Sequence, residues 1–121
     1  MNVAVVGASN KTDRYSYKAV MMIRGKGHRP FPVHPVLRAI EDIPVFASLG
    51  LVPVTLDVVT LYLGPANQAR VAEEILLNRP RRVIFNPGAE NPALTTRLQA
   101  AGIEAVNACT LVMLQTGQFE F

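Results

Sequence analysis

The unbroken apolar run at residues 3–6, followed at once by Gly7, constrains the fold of this chain more than any other feature. A strand with one face in water alternates apolar and polar residues, whereas an unbroken run indicates a strand covered on both faces. Such strands are typical of parallel sheets. Four further segments have the composition of strands: residues 29–33, 57–63, 82–85 and 103–106.

Helical patterns separate these strands. Apolar residues recur at helical spacing from about residue 16 to 26, after Gly64-Pro65, and between Asn91 and Gly102. Ser16 and Asn91 are predicted N-caps, and Pro65 is predicted at the first position of its helix. The segment 45–49 is predicted to form one helical turn. Because of its two prolines, the strand 29–33 is expected to be short and to lose several ladder hydrogen bonds.

Alternating strands and helices, repeated to five strands, predict an α/β fold: a Rossmann-like doubly wound domain with a five-stranded parallel sheet. At 121 residues the chain fits a single domain over residues 1–121, and its 50% hydrophobic content excludes a disordered or collagen-like class. The lone Cys109 cannot form an internal disulfide. The start of the chain lacks a signal-peptide pattern, and no apolar run is long enough to span a membrane. We therefore expect a cytoplasmic protein with no membrane partner.

Charge is distributed unevenly along the chain. Residues 1–38 hold seven lysines and arginines against one acid, a balance of +6, whereas the remaining residues hold five against eight, a balance of −3. This asymmetry favours a local anionic ligand over a surface for nucleic acid. A basic face that is simply solvated remains an alternative.

The loop after the first strand carries the chemistry of a phosphate site. Ligands of such sheets bind outside the carboxyl ends of the strands. Gly7 allows close approach of backbone to an anion, and the start of the next helix offers free N–H groups and a positive dipole end. Hydroxyl and cationic side chains follow in the same loop: Ser9, Thr12 and Ser16, with Lys11 and Arg14. The same residues also suit an ordinary turn.

Known phosphate motifs narrow the ligand class. The loop is neither a Walker A sequence nor the three-glycine dinucleotide fingerprint. No acid occurs between Asp13 and Glu41, where an NAD site places the carboxylate that binds the ribose hydroxyls. NAD is therefore disfavoured. A ribose that carries its own phosphate suits the neighbouring Arg29, His34 and Arg38, which leaves NADP or coenzyme A (CoA).

An ordered set of short motifs resembles the small single-domain CoA-binding proteins. These are similar to the CoA-binding domain of the succinyl-CoA synthetase α subunit and of ADP-forming acyl-CoA synthetases. The resemblance covers nearly the whole chain. Its motifs are VAVVGAS at 3–9, RYS at 14–16, PVHP at 32–35, LGP at 63–65, NPGAEN at 86–91, and Cys109.

The resemblance implies a role for each matched position. Residues that would hold the CoA phosphates are Gly7, Ala8, Ser9, Lys11, Arg14, Tyr15 and Ser16. Residues that would border the adenosine are Pro32, His34, Pro35 and Val36. Residues that would line the pantetheine path are Leu63, Gly64 and Pro65, and those near its thiol end are Asn86, Pro87 and Gly88. The chain departs from the family pattern at His34, where Asn is usual, and at Asn107-Ala108, where Asp-Arg is usual.

No catalytic constellation accompanies these motifs. There is no nucleophile elbow, and His28 and His34 lack partners at metal-ligand spacing. We expect a module that binds CoA or acyl-CoA as a carrier, sensor or regulator, with no metal and no chemistry of its own. Its macromolecular partner would be a second copy of the chain or a synthetase. The alternatives are an NADP-binding reductase-like or sensor domain, an orphan interaction subunit of an acyl-CoA synthetase, and an enzyme that uses Cys109.

Overall fold

Strands and helices alternate along most of the computed structural model, which describes residues 1–121. In chain order the elements are β1 (Asn2–Val6), α1 (Tyr15–Gly25), β2 (Arg29–Val33), β3 (Ala39–Ile40), β4 (Ile43–Pro44), β5 (Val58–Leu61), α2 (Ala69–Asn78), β6 (Arg82–Phe85), α3 (Pro92–Ala100), β7 (Glu104–Asn107) and α4 (Thr110–Thr116). Two short 3-10 turns, Leu49–Leu51 and Pro65–Asn67, precede α2.

The main sheet has the order β2-β1-β5-β6-β7, and all of its strand pairs are parallel. The predicted Rossmann-like α/β fold with a five-stranded parallel sheet is confirmed. The chain builds outward from β1 to β2 and then crosses to β5 on the other side of β1. The carboxyl end of β1 is therefore the topological switch point, where open α/β sheets bind ligands.

Helices cover both faces of the sheet, which explains why the first strand lacks alternation. Val3 and Val5 pack in a core with residues of α1 and α4, whereas Ala4 and Val6 pack in a core with residues of α2 and α3. All four side chains are buried. None of the helices is long and apolar enough to cross a membrane.

Three local predictions at element boundaries are wrong. Arg14, not Ser16, is the N-cap of α1, and Ser16 lies buried in its first turn. Pro65 begins a 3-10 turn, and α2 starts only at Ala69. The predicted helical turn at 45–49 is absent because Phe46 bridges to Val33, which extends the edge of the sheet beside β2.

Two elements were not predicted. Ala39–Ile40 and Ile43–Pro44 pair as a small antiparallel hairpin whose turn residue Glu41 has a φ of +53°. The apolar C-terminal segment forms α4, which buries Met113 and Leu114 against the α1 side of the sheet.

Candidate functional site

A cleft of about 790 Å³ lies at the carboxyl end of β1, on the α1 side of the sheet. We call it the main cleft. It brings together nine of the predicted site residues: Gly7, Ala8, Ser9, Lys11, Arg14, Tyr15, Ser16, His34 and Leu63. Four residues that the sequence did not single out complete its wall: Asn10, Asp13, Leu37 and Tyr62.

The N-terminus of α1 opens into the main cleft without a cap. The Arg14 side chain does not cap the helix, and the first turn contains no acid. The first helical N–H that is paired belongs to Lys18, which donates to the Arg14 carbonyl at 3.1 Å. The N–H groups of the preceding turn, including those of Tyr15 and Ser16, are therefore free. Such a helix end binds anions through its N–H groups and its dipole.

Gly7 is required for the conformation of the turn, and its own N–H group is not available to a ligand. The N–H groups of Gly7 and Ala8 both donate to the Val33 carbonyl, at 3.1 and 3.2 Å, so neither is free for an anion. The φ of Gly7 is +84°, and a Cβ there would lie 2.8 Å from the Tyr62 carbonyl oxygen. Glycine is required because the turn passes against the end of β5. The free loop donors begin only at Ser9.

Two cations border the cleft without ion pairs. Lys11 and Arg14 are both exposed, and neither belongs to any of the four salt bridges of the protein. The carboxylate of Asp13 is the single acid in the wall. Lys18 lies 5.7 Å above the ring of Tyr15, which is 68% exposed. The rim therefore offers positive charge and an exposed aromatic face.

His34 holds the loop after β2. Its Nδ1 accepts hydrogen bonds from the backbone N–H groups of Val36 and Leu37, at 3.1 and 3.0 Å. The ring proton of a neutral His34 therefore lies on Nε2, which is left as its free donor. An asparagine, the usual residue of the resembling proteins, would offer its side-chain oxygen to the same N–H groups. The histidine thus preserves the turn and adds a donor.

A second cavity of about 370 Å³ lies across the β1 turn, on the α2 side of the sheet. We call it the side cavity. It shares Gly7, His34 and Leu63 with the main cleft, so the two spaces are adjacent. The predicted Pro35 lies here. The other lining residues are Val6, Val33, Ala47, Ser48, Asn67, Arg70 and Val71.

Seven predicted residues line neither space. Pro32 is buried within β2. Asn86 is also buried, and its amide is fully engaged: Nδ2 donates to Thr60 Oγ1 at 2.6 Å and to the Leu61 carbonyl at 2.9 Å, while Oδ1 accepts from Thr110 N–H. The other five are exposed around the carboxyl edge: Val36, Gly64, Pro65, Pro87 and Gly88.

Tyr62 carries the single buried side-chain polar atom that lacks a hydrogen bond, its hydroxyl. Burial raises the pKa of Tyr62 to about 12, because the phenolate would be poorly solvated.

Cys109 is half-buried at the N-cap of α4 and lines neither space. Nowhere in the chain do three or more His, Cys, Asp or Glu side chains converge.

Sequence comparison identifies the family. The sequence model described as CoA binding domain matches residues 1–115. The chain belongs to this family. The crystal structure of an uncharacterised protein is 37% identical, with a TM-score of 0.89, and the match covers 98% of this chain and 97% of that one. A protein from Thermus thermophilus is 26% identical, with a TM-score of 0.88, and the match covers 98% of this chain and 90% of that one.

A larger protein shares the fold. The dinucleotide-forming acetyl-coenzyme A synthetase 1 of Ca. Korarchaeum cryptofilum is 16% identical to this CoA-binding family member, with a TM-score of 0.76. The match covers 88% of this chain but 25% of the synthetase. At this identity the comparison shows a common fold.

Proposed function

We propose that this chain binds CoA or an acyl-CoA across the main cleft, with the diphosphate against the start of α1. The uncapped N-terminus of α1, flanked by the unpaired Lys11 and Arg14, is the observation that carries the proposal. Because a diphosphate is a multiply charged acceptor, it requires several converging donors. The free N–H groups of Ser9, Tyr15 and Ser16 add to those of the two cations. CoA therefore fits the residues present.

The other parts of CoA follow the carboxyl edge. His34 and Pro35 border the region assigned to the adenosine, at the end of β2. Leu63 lines both spaces at the end of β5, from which the pantetheine arm would run towards Pro87 and Gly88 at the end of β6. These positions lie in the spatial order of the strands, so one extended ligand can contact all of them.

We further propose that the module binds without catalysing a reaction, as a carrier, sensor or regulator. Both histidines are engaged in structural hydrogen bonds: His28 contacts Met1 and Glu120, and His34 holds its loop. Cys109, the candidate nucleophile, lines neither cavity. No nucleophile and base are therefore paired at the cleft. A cytoplasmic location and a partner, either a second copy or a synthetase, remain predictions.

Thermal unfolding with added ligand tests the proposal. Millimolar CoA should raise the Tm, because a ligand that binds only the folded state stabilises it. Arg14→Ala should weaken the shift while the Tm of the free protein stays unchanged. Lys26→Gln, which removes a cation at the opposite edge of the sheet, is the control and should keep the full shift. A folded wild type with no shift, or a shift with NADP and none with CoA, would reject the proposal.

A further inference from the structure

Two side chains of α1 contact the turn of the β3–β4 hairpin. The Tyr17 hydroxyl donates to Glu41 Oε1 at 2.7 Å, and Arg24 Nη1 pairs with Asp42 Oδ1 at 2.6 Å. Because the two α1 residues are separated by two helical turns, they lie on one face of the helix. We call these two contacts the clasp. It fastens the hairpin to α1.

The clasp lies directly behind the main cleft. On one side of the cleft, residues 14–16 form the wall, and Tyr17 is the next residue of α1. On the other side, Leu37 forms part of the wall, and the hairpin begins shortly after it at Ala39. The clasp therefore fixes these two walls relative to each other.

Apolar burial holds the hairpin on the protein independently of the clasp. Ile40 and Ile43 are buried and belong to the same core as Val20 and Ile23 of α1. Both contacts of the clasp are instead exposed to solvent. Because exposed hydrogen bonds and ion pairs contribute little to stability, the protein should stay folded when the clasp is removed.

Glu41 has a backbone conformation that favours glycine. Its φ is +53°, and Arg79 is the one other non-glycine residue with a positive φ. Glycine would adopt this conformation at lower energy, but it would offer no carboxylate to Tyr17. The hairpin turn thus keeps the Tyr17 contact at a cost in backbone energy.

We propose that Tyr17 and Glu41 are positioning residues, which fix the separation of α1 from the wall at Leu37 and thereby raise the affinity of the main cleft for its ligand. The inference rests on the proposed function. Neither residue lines the cleft, so both act through the wall residues beside them. A cleft whose walls are already fixed loses less conformational freedom when the ligand binds, and its affinity is higher for that reason.

Calorimetric titration with CoA, together with thermal unfolding of the same preparations, tests this inference. Tyr17→Phe keeps the ring but removes the hydroxyl, and it should weaken CoA binding about threefold. Glu41→Gly should weaken binding as much, yet its Tm should equal or exceed that of the wild type, because the backbone strain is relieved. Glu41→Gln retains an acceptor oxygen and should keep the wild-type affinity. The double variant Tyr17→Phe/Glu41→Gly should bind no more weakly than either single variant, since both lose the same contact.

Arg97→Gln is the matched control. It removes an exposed ion pair with Glu73, at 2.9 Å, that joins α2 and α3 on the opposite face of the sheet. This variant should bind CoA as the wild type does. A loss of affinity equal to that of Tyr17→Phe would overturn the inference, because the effect would then not depend on the clasp.

The other outcomes separate this inference from the proposed function. Wild-type affinity in both Tyr17→Phe and Glu41→Gly would overturn the inference and leave CoA binding intact. Additive losses in the double variant, or a lower Tm in Glu41→Gly alongside its weaker binding, would overturn it as well. A wild type that does not bind CoA would reject the proposed function and the inference with it.

Discussion

The arginines at the two ends of the parallel sheet differ in whether they have partners within the protein. At the amino end four arginines have partners within the protein. Arg24 pairs with Asp42, and Arg82 donates to Glu104 and to the Phe119 carbonyl. The same holds for Arg79, which donates to the Ala101 carbonyl, and for Arg81, which lies 3.9 Å from the Phe121 ring. At the carboxyl end Arg14 and Arg70 have none.

Positive charge alone therefore does not locate a binding site in this chain. What distinguishes the carboxyl end is that donors of several kinds, cationic, backbone and hydroxyl, lie together with one carboxylate, that of Asp13, among them. At the amino end, arginines contact acids, carbonyls and aromatic rings of the protein itself, and these contacts contribute to folding. The carboxyl end leaves them available to an anion.

Gly7→Ala should show the largest effect. Its Cβ would meet the Tyr62 carbonyl oxygen at 2.8 Å, and its φ of +84° is strained for any L side chain. We expect a loss of about 3 kcal/mol in unfolding free energy. Gly27→Ala is the matched control at the amino end, because its φ is +87° and its Cβ would meet nothing within 4 Å. It should cost about 1 kcal/mol. Equal losses in denaturant unfolding would contradict the close approach of Gly7 to β5.

Arg82→Ala should lower stability without affecting ligand binding, because Arg82 lies at the amino end of the sheet. The Arg82 side chain is 11% exposed, and its removal leaves Glu104 and the buried Phe119 carbonyl without their donor. We expect unfolding free energy to fall by about 2 kcal/mol with no change in CoA affinity. Arg14→Ala should lower the affinity for CoA and leave the unfolding free energy unchanged. Both quantities come from unfolding and titration of the same preparations. A loss of CoA affinity in folded Arg82→Ala would break the comparison.

His34→Ala should cost about 1 kcal/mol, because the N–H groups of Val36 and Leu37 lose their shared acceptor. His34→Asn should restore most of this stability, since its side-chain oxygen accepts in the same turn. Thermal unfolding of the two variants measures the difference. If they are equally destabilised, the turn does not depend on an acceptor at residue 34.

Tyr62→Phe should have the smallest effect at neutral pH, less than about 1 kcal/mol, because the lost hydroxyl has no partner. The effect should grow in alkali. The pKa of Tyr62 is raised from 10.0 to about 12 in the folded state, so its contribution to stability is complete below pH 10 and is lost as pH rises towards 12. The Phe variant should therefore lose less stability over this window. Parallel slopes for the two proteins would contradict the burial of the hydroxyl.

The strands of the main sheet were predictable from sequence because runs such as residues 3–6 are buried on both faces. The main cleft was predictable because Gly7, Lys11 and Arg14 follow such a run directly. The β3–β4 hairpin was not, since two-residue strands leave no periodic pattern. The positive φ of Glu41 is accompanied by a hydrogen bond from the distant Tyr17 hydroxyl.

The site was predictable at the level of loops but not of every side chain. Asn86 follows a strand, as a ligand contact would, yet its amide faces inward because Thr60 and Thr110 meet it there. The side cavity was not predicted, because its wall joins residues from separate segments, such as Ala47 and Arg70, that meet only in the folded chain.

Native mass spectrometry of the wild-type chain with added CoA tests the central claim most directly, namely that the carboxyl edge binds this nucleotide. We expect one CoA per chain, saturating as its concentration rises, and little complex with Arg14→Ala under the same conditions. A folded wild type that remains free at millimolar CoA would contradict the account.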